Sequence, residues 1–211
     1  MNKSLKIAVV GGTGQLGGAL ARRLKAAGHD VVVGSRSSAK TDSLPVLPNP
    51  DAAAFGDVII VAVPFSAQED TLRQIAPQAA GKVVIDTTVP LAPPKVMRVQ
   101  MPEEGCAALR AQNLLGDACV VVSAFQNVAA HKLAEPGPVD CDVLVFSDDK
   151  DARALGVRIA GDAGLRGIEG GVLANSVSAE ALTSVLIFIN KTYKVDGAGI
   201  RITGELATPG R

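Results

Sequence analysis

Six short runs of this sequence are apolar almost without interruption: Leu5 to Val10 (LKIAVV), Asp30 to Gly34 (DVVVG), Asp57 to Val63 (DVIIVAV), Lys82 to Thr88 (KVVIDTT), Cys119 to Phe125 (CVVVSAF) and Asp142 to Phe146 (DVLVF). A strand with one wet face alternates polar and apolar residues. An unbroken run has to be covered on both faces, which is the situation of a parallel sheet between two layers of helices. The segments between the runs have helical length and composition: Gln15 to Ala27, Ser66 to Ala80, Pro102 to Leu115, Lys150 to Ala163 and Asn175 to Thr192. Pro77 is expected to end the second of these early, and Pro102 followed by Glu103 and Glu104 to start the third. A short strand near Leu165 to Glu169 and a final edge strand over Gly199 to Thr203 complete the pattern. The alternation predicts an α/β fold, a Rossmann-type doubly wound and mostly parallel sheet, in a single domain with a small C-terminal extension.

Composition narrows the function classes. Lys and Arg total 21, as do Asp and Glu, so the net charge is zero and argues against a nucleic-acid or polybasic membrane-surface protein. Hydrophobic residues make up 47% and charged residues 20%, enough for a sizeable core and too apolar for disorder. With five Phe, one Tyr and no Trp, there is no aromatic platform for stacking bases or sugars. Cys106, Cys119 and Cys141 are odd in number and lack CxxC spacing, so neither a disulfide framework nor a zinc site is expected. They read as small buried hydrophobes in a reducing compartment. His29 and His131 are too few for a His-rich metal site. Met1 to Lys6 is polar and the run from Ile7 stops at Gly11, so no signal peptide is expected. The longest apolar stretches, Val58 to Phe65 and Val185 to Ile189, fall short of a membrane span. These features predict a soluble cytoplasmic protein whose partners are small molecules, with no nucleic acid and no membrane.

One stretch departs from the pattern. Between Gly34 and Asp57 the sequence SRSSAKTDSLPVLPNPDAAAFG has no clear helical period, and only Pro50 to Phe55 is expected to make a helical turn. Its length suffices for a crossover between parallel strands. It reads as a loop-rich connection beside a binding site.

Gly12, Gly14 and Gly17 in GGTGQLG have GxGxxG spacing. The motif gains weight from its context, since it follows an apolar strand and opens a helix within a strand–helix–strand unit of about thirty residues. One glycine permits the tight turn, another lets the backbone reach a diphosphate, and the third allows close strand–helix packing. The helix N-terminus then offers N–H groups and partial positive charge to the anion. Thr13, Gln15 and Leu16 complete the loop. The second strand ends in Gly34-Ser35-Arg36 where NAD-binding chains carry a carboxylate, so Arg36 offers a guanidinium fork and Ser35 a hydroxyl to a 2′-phosphate. Lys40 could close the same pocket. NADP(H) rather than NAD(H) is therefore expected, with residues 1–148 as the NADP-binding Rossmann domain. Residues 149–211 would form a helical and strand extension of the same compact unit, completing the substrate cleft.

At these residues the chain resembles the NADPH-dependent deazaflavin oxidoreductases, which pass hydride between NADP(H) and coenzyme F-420 (F420 below). The likeness runs from GGTGQLG and VVVGSRSSAK through VAVPF (Val61 to Phe65), DTTVPL (Asp86 to Leu91), VVSAFQNV (Val121 to Val128) and CDVLV (Cys141 to Val145) to GAGIRITG (Gly197 to Gly204). The dinucleotide part is shared with the cytosolic domains of membrane metalloreductases. The resemblance implies NADP(H) and the deazaflavin in one cleft at the carboxyl ends of the strands, with direct, reversible hydride transfer and no catalytic nucleophile, base or metal. The chain departs from family habit at Phe65, Gln126, Gly170 to Leu173 and the short proline-rich segment after Ser37. The departures lie toward the deazaflavin side. Alternative readings are an NADPH-dependent reductase of a flavin, quinone, ferric or small carbonyl acceptor, and a non-catalytic NADP(H)-binding sensor.

Further candidates lie where strands end at the same edge. Val63, Pro64 and Phe65 follow the third run and can meet ribose and diphosphate, or simply stop the strand. Thr88 follows the fourth, near the expected nicotinamide, or caps a turn. Ala124, Gln126 and Asn127 leave the fifth and are expected to line the hydride site. His131 reads as a solvated surface residue and His29 as structural. Val177, Ala181, Leu182, Val185, Leu186 and Ile189 form a broad apolar face on the last helix, for core packing or a homodimer seam.

Overall fold

The computed structural model describes residues 3–36 and 44–207. In chain order the first half runs β1 (Lys6–Val10), α1 (Gln15–Ala26), β2 (Asp30–Ser35), β3 (Val46–Pro48), α2 (Asn49–Phe55), β4 (Val58–Val61), α3 (Phe65–Ala79) and β5 (Val83–Asp86). The second half runs α4 (Ala107–Leu115), β6 (Val120–Ser123), α5 (Ala130–Ala134), β7 (Asp142–Phe146), α6 (Lys150–Asp162), β8 (Arg166–Gly171) and α7 (Ser176–Tyr193). The eight strands form one sheet in the order β3-β2-β1-β4-β5-β6-β7-β8. All neighbours are parallel except β6 and β7, which meet at Ser123 and Phe146. The first six strands follow the order of a doubly wound dinucleotide fold, with the reversal of winding between β1 and β4.

The unbroken apolar runs are explained by two cores, one on each face. Ile7, Val9, Val31, Val33, Ile60 and Ile85 pack with Leu20 and Leu24 of α1 and Ile159 of α6. Their strand neighbours Ala8, Val10, Val32, Ile59, Val61 and Val84 pack on the opposite side with Leu72 and Ile75 of α3 and Ala108 and Ala111 of α4. Successive strand residues point to opposite faces, so both parities have to be apolar.

Several expectations are corrected. The stretch after Gly34 contains a strand, β3, pairing Val46 with Val33 and Pro48 with Ser35. Pro suits this edge position, since an edge strand leaves one side of its backbone without a ladder. Pro77 does not end α3 early. It lies near the helix end, where Leu72, Ile75 and Ala79 hold the helix on the core. α4 begins at Ala107 rather than Pro102, because Gly105 takes φ +96° and breaks the backbone there. Its first N–H groups are held from afar: Glu180 of α7 accepts from Ala107 at 2.7 Å and Ala108 at 3.1 Å. Gly199 to Thr203 is not a strand. It lies along β7 with Asp142 N–H donating to Ile200 O, but the next N–H, from Ile202, goes to the Asp142 carboxylate, so no ladder propagates. Finally, Leu173–Tyr193, with 21 residues and mean hydropathy 1.3, is long and apolar enough to cross a membrane by length and composition alone. Its inner side carries buried Ser176, Glu180 and Ser184 against the domain.

Candidate functional site

The carboxyl ends of β1, β2 and β4 open onto a cleft of about 480 Å³, within the size range of cofactor pockets. Its near wall is the turn between β1 and α1. Gly11 takes φ +80°, and a Cβ there would come within 2.5 Å of Ala62 O. A Cβ on Gly12 would lie 2.8 Å from Val9 O, and one on Gly17 2.7 Å from Gly11 O. The turn is therefore closed to any side chain at three positions. The left-handed glycine is Gly11, which the GxGxxG count passes over although it stands beside Gly12. Gly14 precedes α1, whose first turn has no acidic residue and no side-chain cap. A helix N-terminus without an acidic residue or a side-chain cap leaves N–H groups that an anion can accept from. Thr13, Gly14 and Gln15 are exposed, and Leu16 packs inward on the core.

The opposite wall comes from Ser35 and Arg36 at the end of β2 and from Ala62, Val63 and Pro64 after β4. Arg36 is exposed and makes no ion pair with any described residue, and no carboxylate is among the described residues lining the cleft. Among the described lining residues Arg36 is the one charged side chain, and it favours an anion at its end of this wall. Lys40 lies outside the described residues. Phe65 begins α3 just beyond Pro64, with the Arg110 guanidinium 5.0 Å from its ring centre. Asn49, Ala67 and Thr71 also line the cleft. Sequence reasoning missed them: Asn49 sits inside the proline-rich connection, and the two α3 residues carry no motif.

The remaining candidates form a second, more buried group past the ends of β5 and β6. Thr88, Ala124, Gln126 and Asn127 are at most 6% exposed. Each polar member bonds inward, although Gln126 Oε1 finds no partner among the described residues. Thr88 donates from Oγ1 to Asp86 Oδ1 at 2.6 Å, and Gln126 Nε2 donates to Asp86 O and Ser123 Oγ. Asn127 Nδ2 donates to Ala179 O and the Thr183 hydroxyl, tying the loop to α7. Phe125, at φ 73° and 1% exposed, holds this loop in a left-handed conformation uncommon for a bulky residue. The geometry therefore gathers the glycine turn, Ser35, Arg36, Val63 and Pro64 around one cleft, and sets Thr88, Ala124, Gln126 and Asn127 in the adjoining frame.

Beneath that frame lies a buried acid that motif reading does not single out. Asp86 accepts from Thr88 N–H, Thr88 Oγ1 and Gln68 Nε2. Burial raises its pKa from 3.8 to about 6 against the lowering by these donors. Burial likewise pushes Glu180 up to about 8, opposed by the two α4 N–H groups and assisted by the nearby Asp86 charge. Cys106, Cys119 and Cys141 are all buried free thiols, and no group of three metal-ligating side chains occurs among the described residues.

Comparison with known proteins decides the family. The chain is 40% identical to the F420-dependent NADP reductase of Methanothermobacter thermautotrophicus, over 94% of its own length and 95% of that protein's. The chain belongs to the F420-dependent NADP reductase family. The F420-dependent NADP reductase of Methanocaldococcus jannaschii is 38% identical over 94% of this chain and 98% of its own. The model of the family described as NADP oxidoreductase, coenzyme F420-dependent, matches residues 6–90, the stretch that holds the glycine turn and Arg36. The crystal structure of a putative F420-dependent NADP-reductase from Arthrobacter sp. FB24 superposes with a TM-score of 0.82 at 22% identity, covering 95% of this chain and all of that one. That likeness establishes the shared fold. As a member of the F420-dependent NADP reductase family, the chain is an NADP-dependent oxidoreductase.

Proposed function

We propose that the two groups of residues divide the work of hydride transfer between NADP(H) and coenzyme F420. The observation that carries this reading is the cleft itself. A glycine turn closed to side chains opens into a helix N-terminus, and the same cleft holds an arginine with no carboxylate partner among the described residues. These residues fit NADP(H). The diphosphate belongs at Gly12, Thr13, Gly14, Gln15 and Gly17, and the 2′-phosphate at Arg36, Ser35 and Lys40. Leu16 fixes the turn on the core, and Val63, Pro64 and Phe65 form the wall against the ribose.

When bound, the two cofactors supply the chemistry, a hydride passing directly between their rings. The protein's part is position and exclusion of water. Thr88, Ala124, Gln126 and Asn127 hold the frame of the transfer site. Asp86 fixes Thr88, Ser123 fixes Gln126, and Thr183 fixes Asn127. Residues 149–211 complete the cleft, since α7 is what Asn127 grips. The exposed apolar side of α7, with Val177, Val185 and Phe188 at 39 to 50% exposure, is the seam of a homodimer. The buried free thiols suit the reducing cytoplasm.

The test is anaerobic mixing of purified protein with NADPH or NADH and either the deazaflavin or FMN. Loss of nicotinamide absorbance together with bleaching of the deazaflavin, with NADPH and not NADH, is the expected result. Oxidation of NADPH by FMN alone would refute the assignment of the acceptor. Sedimentation showing only monomer would remove the dimer.

A further inference from the structure

Glu180 is buried in the first half of α7, a costly position for a carboxyl unless its oxygens find donors. Both oxygens serve the start of α4, accepting from the N–H groups of Ala107 and Ala108. α4 has no cap of its own: its N-cap residue is Cys106, whose thiol makes no capping bond. A serine or aspartate at that position would satisfy the helix end locally. The cap comes instead from another helix, which ties the placement of α4 to that of α7. This contact is one link of a closed ring. The Ala107 carbonyl accepts from Gln68 Nε2 at 3.0 Å, and the same amide nitrogen donates to Asp86 Oδ2 at 2.6 Å. Asp86 holds Thr88 through its other oxygen. Beside Glu180, the same turn of α7 carries Ala179 and Thr183. The Ala179 carbonyl accepts from Asn127 Nδ2 at 2.8 Å, and the Thr183 hydroxyl donates to Gln126 O at 2.9 Å. Gln126 Nε2 then returns to Asp86 O at 3.0 Å. The ring thus runs from Asp86 through Gln68, Ala107, Glu180, the turn of α7 and Gln126 back to Asp86.

Apolar burial is non-directional and lets one helix slide or roll on another, whereas a satisfied buried polar network selects one arrangement. The ring carries Thr88 on one side and the Gln126–Asn127 loop on the other, the residues assigned above to the frame of the transfer site. Direct transfer needs its reacting atoms within about 3.5 Å, so a small change in that frame is felt in the rate. We propose that Glu180 is a positioning residue for hydride transfer, locking α7 to α4 so that Thr88 and the Gln126 loop keep one spacing. This role deepens the transfer reading and rests on it. The glycine turn and Arg36 stand outside the ring, so binding of NADP(H) does not depend on it. A ring also behaves differently from a set of separate contacts. One cut releases the frame, and a second cut elsewhere in the same ring adds little, which makes the two strongly non-additive.

The test pairs Glu180→Gln with Gln68→Met, cuts at two separate links, and adds the double variant, all in the full chain. Glu180→Gln sets an amide nitrogen against one of the α4 N–H groups; Gln68→Met removes both donated bonds at similar volume. Amide exchange in the cofactor-free protein, followed by mass spectrometry, should quicken about tenfold in residues 86–91 and 123–128 in each variant. The single-turnover rate from NADPH to the deazaflavin should fall about tenfold in each, and little further in the double variant. The Kd for NADPH should stay within about twofold of wild type. Thermal melts check folding, and if Glu180→Gln does not fold, Gln68→Met decides alone through exchange in residues 176–184, across the ring from the cut. Faster exchange in Glu180→Gln confined to residues 107–115 and 176–184 reduces Glu180 to a local cap and overturns the role. An unchanged single-turnover rate overturns it too, as do losses that multiply to about a hundredfold in the double variant. These results leave the hydride reading standing, whereas a wild type that transfers no hydride to the deazaflavin overturns that reading and this role together.

Discussion

Replacing Asp86 by Asn should stabilise the protein at neutral pH and flatten part of its pH profile. The carboxyl is wholly buried and its pKa is raised from 3.8 to about 6, burial outweighing three donated hydrogen bonds. A raised acid favours folding in its protonated form. Its contribution is therefore fully present below pH 3.8 and is lost as pH rises through 6. At 1.36 kcal/mol per pH unit, the gap corresponds to about 3 kcal/mol lost by wild type across that window and not by Asp86→Asn. The amide also has a local cost. Its Oδ1 can keep both bonds from Thr88, but its Nδ2 then meets Gln68, whose amide has to turn to present Oε1. Turning withdraws the Gln68 bond to Ala107 O, which is now 3.0 Å, worth about 1 kcal/mol. Asp86→Asn should thus be about 1 kcal/mol less stable than wild type at pH 4 and about 2 kcal/mol more stable at pH 7. Urea unfolding of both proteins at pH 4, 5, 6 and 7 measures this directly. Glu180 titrates in an overlapping range, but its contribution is largely common to the two proteins and cancels in the difference. Parallel pH profiles for the two proteins would refute the argument that Asp86 is held mainly against its charge.

Three other perturbations address separate parts of the molecule. Arg36→Asp should raise the Kd for NADPH at least about tenfold and change that for NADH far less, because charge-assisted bonds to a phosphate are lost; fluorescence titration with each dinucleotide decides it, and equal losses would reject the 2′-phosphate assignment. Gly11→Ala should cost about 2 kcal/mol or more and impair nucleotide binding, since the backbone is at φ +80° and the new carbon meets Ala62 O at 2.5 Å; thermal melts and NADPH titration check both. Arg166→Gln should destabilise the protein at pH 7, because Asp142, 1% exposed, loses its paired guanidinium. Arg166 holds the Asp142 carboxyl below its ordinary range, so that stabilisation is present above about pH 4 and fades on acidification. Denaturation midpoints of the two proteins should accordingly differ at pH 7 and draw together at pH 3.

The sheet was legible because both parities of each strand are buried, and that demand writes itself into sequence as unbroken Val and Ile runs. β3 escaped because an edge strand of three residues carries no such demand; its burial is partial and it contains a proline. The start of α4 was misplaced for a different reason. Pro102, Glu103 and Glu104 satisfy every local rule for a helix N-terminus, yet the acid that serves α4 is Glu180, about seventy residues away and on another helix. No window of sequence contains that contact.

The same division runs through the site. The glycine turn and Arg36 are legible because their geometry is local: a strand, a turn and a helix in one stretch, then the end of the next strand. Asn49 and Thr71 line one cleft because α2 packs on α3, so neither has a neighbour in sequence that marks it. Asp86 sits in a quoted motif, DTTVPL, but its importance comes from Gln68 on α3 and from complete burial, which spacing cannot register. Local motifs therefore mark the glycine turn and Arg36, the parts of the cleft proposed for the phosphates, because a turn and a strand end are written in one stretch of sequence. The rest of the lining comes from side chains on several elements, and there the fold has to be known before the residue can be named.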